Sequence, residues 1–211
     1  MILHGYFRSS AAYRVRIALN LKGLEAEHRF VHLRRGDQRG DAYRELNPQA
    51  LVPTLEVGER RIGQSLAIIE YLEERHPQPP LLPPGPEDRA WVRSIALAIA
   101  CDIHPLDNLR VLQYLERTLG VDAARRDAWY AHWIAEGFRA IERQLAERAH
   151  GRYALGDAPG LADVCLVPQV ANASRVKLDM APYPRIRAVN EACLALPAFD
   201  LARPEKQPDA E

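Results

Sequence analysis

The sequence predicts an α/β domain of about eighty residues followed by an all-α domain of about 125. Three observations carry that expectation. Short strand-like and helix-like segments alternate over the first eighty residues. Six prolines then crowd Pro77–Pro86, PQPPLLPPGP, a tract that can neither be helical nor donate ladder hydrogen bonds and so reads as a linker. Beyond it the strand-like alternation disappears and helical periodicity takes over.

Element by element, Ile2 to Tyr6 reads as a first strand. Residues 11–22, AAYRVRIALNLK, place Val15, Ala18, Leu19 and Leu21 at roughly helical spacing. Gly23 stops that helix, and Ser9 or Ser10 suits its N-cap, because a hydroxyl oxygen can accept an unpaired backbone N–H. Phe30 to Leu33 reads as the second strand, and Asp41 to Leu46 as a short helix ended by Asn47-Pro48. Thr54 to Val57 and Arg61 to Gly63 flank Gly58-Glu59 in the pattern of a hairpin. Ser65 opens SLAIIEYLEERH, where Leu66, Ile69 and Leu72 share a face before Pro77 closes the helix. The order β-α-β-α-β-β-α belongs to a small α/β sandwich. After the linker, Glu87 to Leu119 and Asp122 to Ala149 read as two long amphipathic helices. Leu161 to Arg175, Pro184 to Leu194 and a short final turn follow, with Pro105 and Pro168 expected to bend their helices.

Composition narrows the function. The 28 basic and 28 acidic side chains cancel, which argues against a nucleic-acid or anionic-membrane binder. Cys101, Cys165 and Cys193 are widely spaced and odd in number, with neither a CxxC pair nor a Cys/His cluster. No metal site or disulfide framework is therefore expected, and free thiols suit a reducing cytoplasm. No apolar run approaches the roughly 18 residues of a membrane helix, and MILHGYFRSS lacks the apolar core of a signal peptide. A cytoplasmic protein is the expectation.

Three local features can carry chemistry. Arg8-Ser9-Ser10 stands at a strand-to-helix junction, where unpaired N–H groups and the helix dipole stabilise an anion or a thiolate. Taken alone, the same residues read first as a simple helix cap beside a solvated arginine. Val52-Pro53 precedes the strand TLEV, and a cis proline there leaves the neighbouring backbone free for a ligand. Gln64-Ser65 is a second polar helix start, with Ser65 as the expected N-cap and a carboxylate as the natural guest. Two anion-binding helix starts in one small domain imply a ligand with more than one charged end.

Together with these features, YFRSSAAYRVRIALNLKG, LNPQALVPTL, QSLAIIEYLEE, LVPQVANA and DMAPYP resemble the zeta class of glutathione transferases. Bacterial members of that class include maleylacetoacetate and maleylpyruvate isomerases. The likeness runs from about residue 2 to about residue 208. It implies a thioredoxin-like glutathione-binding domain over residues 1–83, an all-helical C-terminal domain over residues 87–211, and a homodimer. It also implies glutathione as cofactor. Ser9 and Ser10 become the catalytic pair, with Ser9 hydrogen-bonded to the glutathione sulfur. Val52 and cis-Pro53 would pair with the cysteinyl part, Gln64 and Ser65 with the γ-glutamyl carboxylate. Ala11, His104, Asn108 and Arg110 complete the implied glutathione contacts, some of them across the dimer interface. Arg8 and Arg175 match the arginines that hold a dicarboxylate substrate, a task suited to a planar, permanently charged fork.

One departure matters. The zeta pattern reads Ser-Ser-Cys at this helix start, and Ala11 stands here in the third place. No protein thiol is present at that point, so the reactive sulfur is expected to arrive with glutathione. The resemblance implies cis–trans isomerisation of a maleyl keto acid, with maleylacetoacetate ahead of maleylpyruvate. A general zeta-class transferase and a non-catalytic interaction module are the further alternatives. Arg14 and Arg16 read as surface or packing residues. Asp163 reads as the closing residue of a capping box beginning at Gly160, and Cys165, Trp129, Trp133 and Phe138 as packing residues.

Overall fold

A computed structural model describes residues 1–148 and 151–211 of the chain. Two units emerge: Met1–Leu81 with Ala195–Glu211, and Leu82–Leu194. In the first, β1 (Ile2–Gly5), β2 (Glu27–Phe30), β3 (Thr54–Val57) and β4 (Arg60–Gly63) form one sheet in the order β2-β1-β3-β4. β1 runs parallel to β2 and antiparallel to β3, and β3 turns back into β4. Helices α1 (Ser10–Leu21), α2 (Asp41–Leu46) and α3 (Ser65–Arg75) alternate with the strands.

α1 is buried at every position from Ser10 to Leu19, because it packs against both α3 and the short α9 (Pro197–Asp200). A helix covered on two sides has no polar face, which explains how weakly its sequence repeats. Tyr6, Phe7, Val31, Tyr43 and Val52 form a second cluster, with Leu33 and Leu46 against it.

The second strand lies earlier than its expected Phe30–Leu33. β2 is EHRF, an exposed edge strand that carries no inward alternation to read. The apolar residues that suggested a strand serve the loop after it, with Val31 buried in the Tyr6 cluster. Residues 195–211 were expected in the helical domain and group with the first unit. The Tyr13 hydroxyl donates to the Phe199 carbonyl at 3.4 Å, and Arg16 Nε to the Ala202 carbonyl at 3.0 Å.

The second unit is helical: α4 (Pro86–Leu97), α5 (Leu109–Arg117), α6 (Ala123–Arg148), α7 (Leu161–Arg175) and α8 (Pro184–Leu194). The expected helix over residues 87–119 is broken. α4 passes into a π-helical stretch, Ala98–Ile103, and Pro105, which has no N–H to donate, ends it. α5 restarts at Leu109 under the cap of Asn108. Ala149, expected to end α6, lies outside the described residues. α7 stays helical through Pro168 and is buried from Leu161 to Val170.

Asp163 closes the start of α7, as its sequence context suggests. Its carboxylate accepts from Gly160 N at 2.8 Å and from Ala154 N at 2.9 Å. Burial pushes its carboxyl up to about 6 while those amides hold it down. Glu142 of α6 accepts from Arg185 N and Ile186 N at 2.8 and 2.9 Å, placing negative charge at the start of α8. Cys165 and Phe138 are core residues. Among the described residues no helix is long and apolar enough to cross a membrane.

Candidate functional site

Ser9, not Ser10, is the N-cap of α1. Its backbone is extended, and its Oγ accepts from Ala12 N at 3.1 Å. That bond uses an oxygen lone pair, so the hydroxyl proton is left to donate to a further acceptor. Ser9 is half-buried, Ser10 and Ala11 are buried as the first helical residues, and Arg8 is half-buried just before them. The first turn of α1 carries no acidic residue, so its positive end is not neutralised within the helix. Such a start suits an anion or a thiolate.

The loop before β3 is held with the same care. The Leu51 carbonyl accepts from the Tyr43 hydroxyl at 2.8 Å and from Asn47 Nδ2 at 2.9 Å. Tyr43 and Asn47 also meet Thr54 Oγ1, at 2.9 and 3.0 Å. Val52 enters none of these bonds. It sits between Leu51 and a cis Pro53 on a loop fixed at both ends.

α3 begins differently from the sequence expectation. Gln64 takes the cap position, with φ 67°, and Ser65 is the first helical residue. A glutamine in the left-handed region is strained, and strain of this kind gathers at ligand sites. Gln64 Nε2 donates to Gln49 Oε1 at 2.8 Å, and no side chain caps the first turn of α3. The turn again lacks an acidic residue. Ser65 Oγ accepts from Arg14 Nη1 at 3.2 Å.

Arg14 is what sequence reasoning missed here. It is 1% exposed, so it is no surface residue; it carries a positive charge from α1 to the start of α3. Its signal in the sequence was position alone, one turn beyond Ser10 on a helix whose burial the sequence does not show.

The remaining candidates lie in the second unit. His104 follows the π-helical stretch, its N–H donating to the Ile99 carbonyl at 2.9 Å. Asn108 caps α5 through Oδ1, which accepts from Arg110 N at 3.1 Å, and the Arg110 side chain is exposed. Trp129 Nε1 donates to the Leu106 carbonyl at 2.9 Å, so this tryptophan pins the turn that carries His104 and Asn108. Arg175 is exposed in the last turn of α7, where a cation also complements the helix dipole.

Asp107, inside that turn, is a second residue the sequence did not mark. It is buried and faces Gln169 Nε2 at 3.4 Å, and Gln169 Oε1 accepts from Asn172 Nδ2 at 3.3 Å. Burial pushes the Asp107 carboxyl up to about 8 against the opposing Gln169 hydrogen bond. Among the described residues no group of three acidic, histidine or cysteine side chains could hold a metal ion.

Comparisons with known proteins converge on one set of relatives. The glutathione S-transferase N-terminal domain model matches residues 3–80, and the C-terminal domain model matches residues 123–191. A probable maleylacetoacetate isomerase of Vibrio cholerae is 52% identical, covering 100% of this chain and 98% of the relative. A solved holo maleylpyruvate isomerase, described as a bacterial glutathione S-transferase of the zeta class, is 49% identical with a TM-score of 0.98 and complete coverage of both chains. A maleylacetoacetate isomerase from Methylobacterium extorquens AM1, solved with malonate and glutathione, is 40% identical with a TM-score of 0.97, again with both chains covered.

Proposed function

The chain belongs to the glutathione S-transferase family, and from that premise we propose that it is a glutathione-dependent cis–trans isomerase of a maleyl keto acid. The observation that carries this reading is the pair of helix starts in the first unit. Each offers backbone N–H groups with no acidic residue in the first turn. One presents the Ser9 hydroxyl, the other Ser65 with Arg14 behind it. This donor set fits a tripeptide with a thiolate and a carboxylate at separate ends. Relatives that cover the chain from end to end are isomerases, and one was solved with glutathione and a dicarboxylate.

When bound, glutathione supplies a thiolate that adds to the activated double bond and later leaves it, the bond being single and free to rotate in between. The chain's own residues prepare that chemistry. Ser9 donates its hydroxyl proton toward the sulfur and, with Ser10 and Ala11 at the positive end of α1, favours the thiolate. The backbone of Val52, beside Pro53, pairs with the cysteinyl portion. Gln64 and Ser65, with the first amides of α3, hold the γ-glutamyl carboxylate. His104, Asn108 and Arg110 complete the glutathione contacts. Arg8 and Arg175 grip the substrate carboxylates bidentately and oppose the negative charge that develops as the double bond is attacked. Glutathione leaves unchanged and is a cofactor, not a co-substrate. A homodimer working in the cytoplasm belongs to the same reading, which leans on the family resemblance and on three free cysteines.

Maleylacetoacetate is the leading substrate and maleylpyruvate the alternative, since relatives of both activities match the chain over its length. The test follows isomerisation of each acid with and without glutathione. Turnover of at least one, dependent on glutathione, is expected. No glutathione-dependent turnover of either would overturn the proposal, and the ratio of kcat/KM values ranks the two substrates.

A further inference from the structure

The loop that carries Arg8 and Ser9 is gripped by side chains from outside it. β1 ends at Gly5, so no strand partner serves Phe7, two residues before Ser9. Both backbone groups of Phe7 are nevertheless engaged. Its N–H donates to Asp209 Oδ2 at 3.0 Å, and its carbonyl accepts from Arg16 Nη2 at 3.1 Å. Arg16 Nε donates in turn to the Ala202 carbonyl at 3.0 Å. One buried guanidinium thus ties the loop to the segment that also delivers Asp209. That segment is fastened to α1 by the Tyr13 hydroxyl on the Phe199 carbonyl at 3.4 Å and by Asn20 Nδ2 on the Ala198 carbonyl at 2.9 Å. Beyond the clamp the Ser9 N–H donates to the Tyr6 carbonyl at 2.9 Å, so the turn presenting the Ser9 hydroxyl hangs directly from Phe7.

The bond from Phe7 to Asp209 joins a neutral amide to a carboxylate, and charge assistance makes it stronger and more directional than an ordinary peptide bond pairing. Its removal leaves a buried N–H without an acceptor, and the loop shifts to find one. A donor that must meet a thiolate loses much of its effect when displaced by a fraction of an ångström. We propose that Asp209, with Arg16 as the opposing jaw, is a positioning residue that clamps Phe7 and so fixes the Ser9 hydroxyl against the glutathione sulfur. The inference rests on the role given to Ser9 above. Asp209 needs no contact with either substrate, because it acts through the backbone of Phe7.

The experiment compares the full-length wild type with Asp209→Ala, Asp209→Asn, Ser9→Ala and the double variant Ser9→Ala/Asp209→Ala. Two quantities are read: the thiol pKa of bound glutathione, from thiolate absorbance, and kcat and KM for glutathione-dependent isomerisation of maleylpyruvate. For Asp209→Ala the bound thiol pKa is expected to rise by about one unit and kcat to fall about tenfold, with KM for the keto acid within about twofold. Asp209→Asn keeps a weaker, neutral acceptor for Phe7 N–H and is expected to shift part of the way. The double variant is expected to lose no more than Ser9→Ala alone, because a clamp on an absent hydroxyl has nothing left to position. An unchanged thiol pKa in Asp209→Ala, or losses that add in the double variant, would overturn the clamp while leaving the Ser9 role intact. A wild type whose bound thiol titrates like free glutathione would overturn both. If Asp209→Ala does not fold, Asp209→Asn decides by the same readout, and no shift there counts against the proposal.

Discussion

Asp107 shows at the scale of one residue how burial redirects a charge. It sits in the turn between His104 and Asn108, and the desolvation of its carboxyl outweighs the single amide that Gln169 offers. The folded protein therefore holds a proton that the unfolded chain releases near pH 3.8, and keeps it until about pH 8. With the folded value raised, the stability contributed by this proton is complete below the unfolded value and is lost as pH rises through the folded one. Asp107→Asn, which keeps the shape and cannot ionise, is expected to gain Tm over the wild type from pH 5 up to about pH 8 and to hold a constant advantage above it. Thermal melts across that range check it, and parallel curves for the two proteins would show that Asp107 ionises freely.

The candidate residues differ in how plainly the sequence announces them. Ser9 and Ser65 are visible in the sequence as polar residues at helix starts, Ser9 as the N-cap of α1 and Ser65 as the first helical residue of α3 instead of its cap. Arg14 and Asp107 are not, since charged side chains are ordinarily solvated and only tertiary packing takes these two out of water. Ala11 is legible as an absence. It is buried in the first turn of α1 with a methyl where a thiol would stand, which leaves the sulfur to the cofactor.

At the scale of elements, the helices with one wet face were readable and the covered or edge elements were not. α3 and α8 fall where periodicity and proline punctuation put them. β2 is exposed along its length, so its sequence carries no inward face, and the neighbouring apolar residues drew the expectation a few positions too far. The stretch after α4 looked like one helix because its apolar spacing continues; the π-helical turn and Pro105 break it on either side of His104. Gly137 of α6 guards that break. A methyl added at Gly137 would overlap Cγ1 and Cδ1 of Ile103, the residue before His104. Alanine ordinarily stabilises a helix interior relative to glycine by about 0.5–1 kcal/mol. At this position overpacking should dominate, and Gly137→Ala is expected to cost about 1–3 kcal/mol. Chemical denaturation measures it, and a variant as stable as the wild type would mean that Ile103 yields without consequence.

At the scale of the whole molecule, the chain is two units, and the division between them falls at Leu81–Leu82, inside the proline tract. Local sequence could place that tract because proline excludes helix interior and ladder, and its last proline, Pro86, opens α4 at the first helical position. It could not place residues 195–211 with the first unit. The bonds responsible join Phe7 to Asp209 and Arg16 to Ala202, partners 202 and 186 residues apart that no local pattern connects. The same distance hides the clamp on the Ser9 loop. In the proposed reading the first unit's two helix starts and its fixed Val52 loop hold glutathione, which brings the reactive sulfur. A transferase would spend that sulfur, one glutathione per product; an isomerase returns it. The decisive measurement follows trans product and total free thiol through many turnovers of maleylpyruvate or maleylacetoacetate with glutathione well below the substrate concentration. An isomerase that returns its glutathione yields product in many-fold excess over glutathione with the free thiol undiminished. Loss of one thiol for each molecule converted, or product that stops at the amount of glutathione supplied, would contradict it.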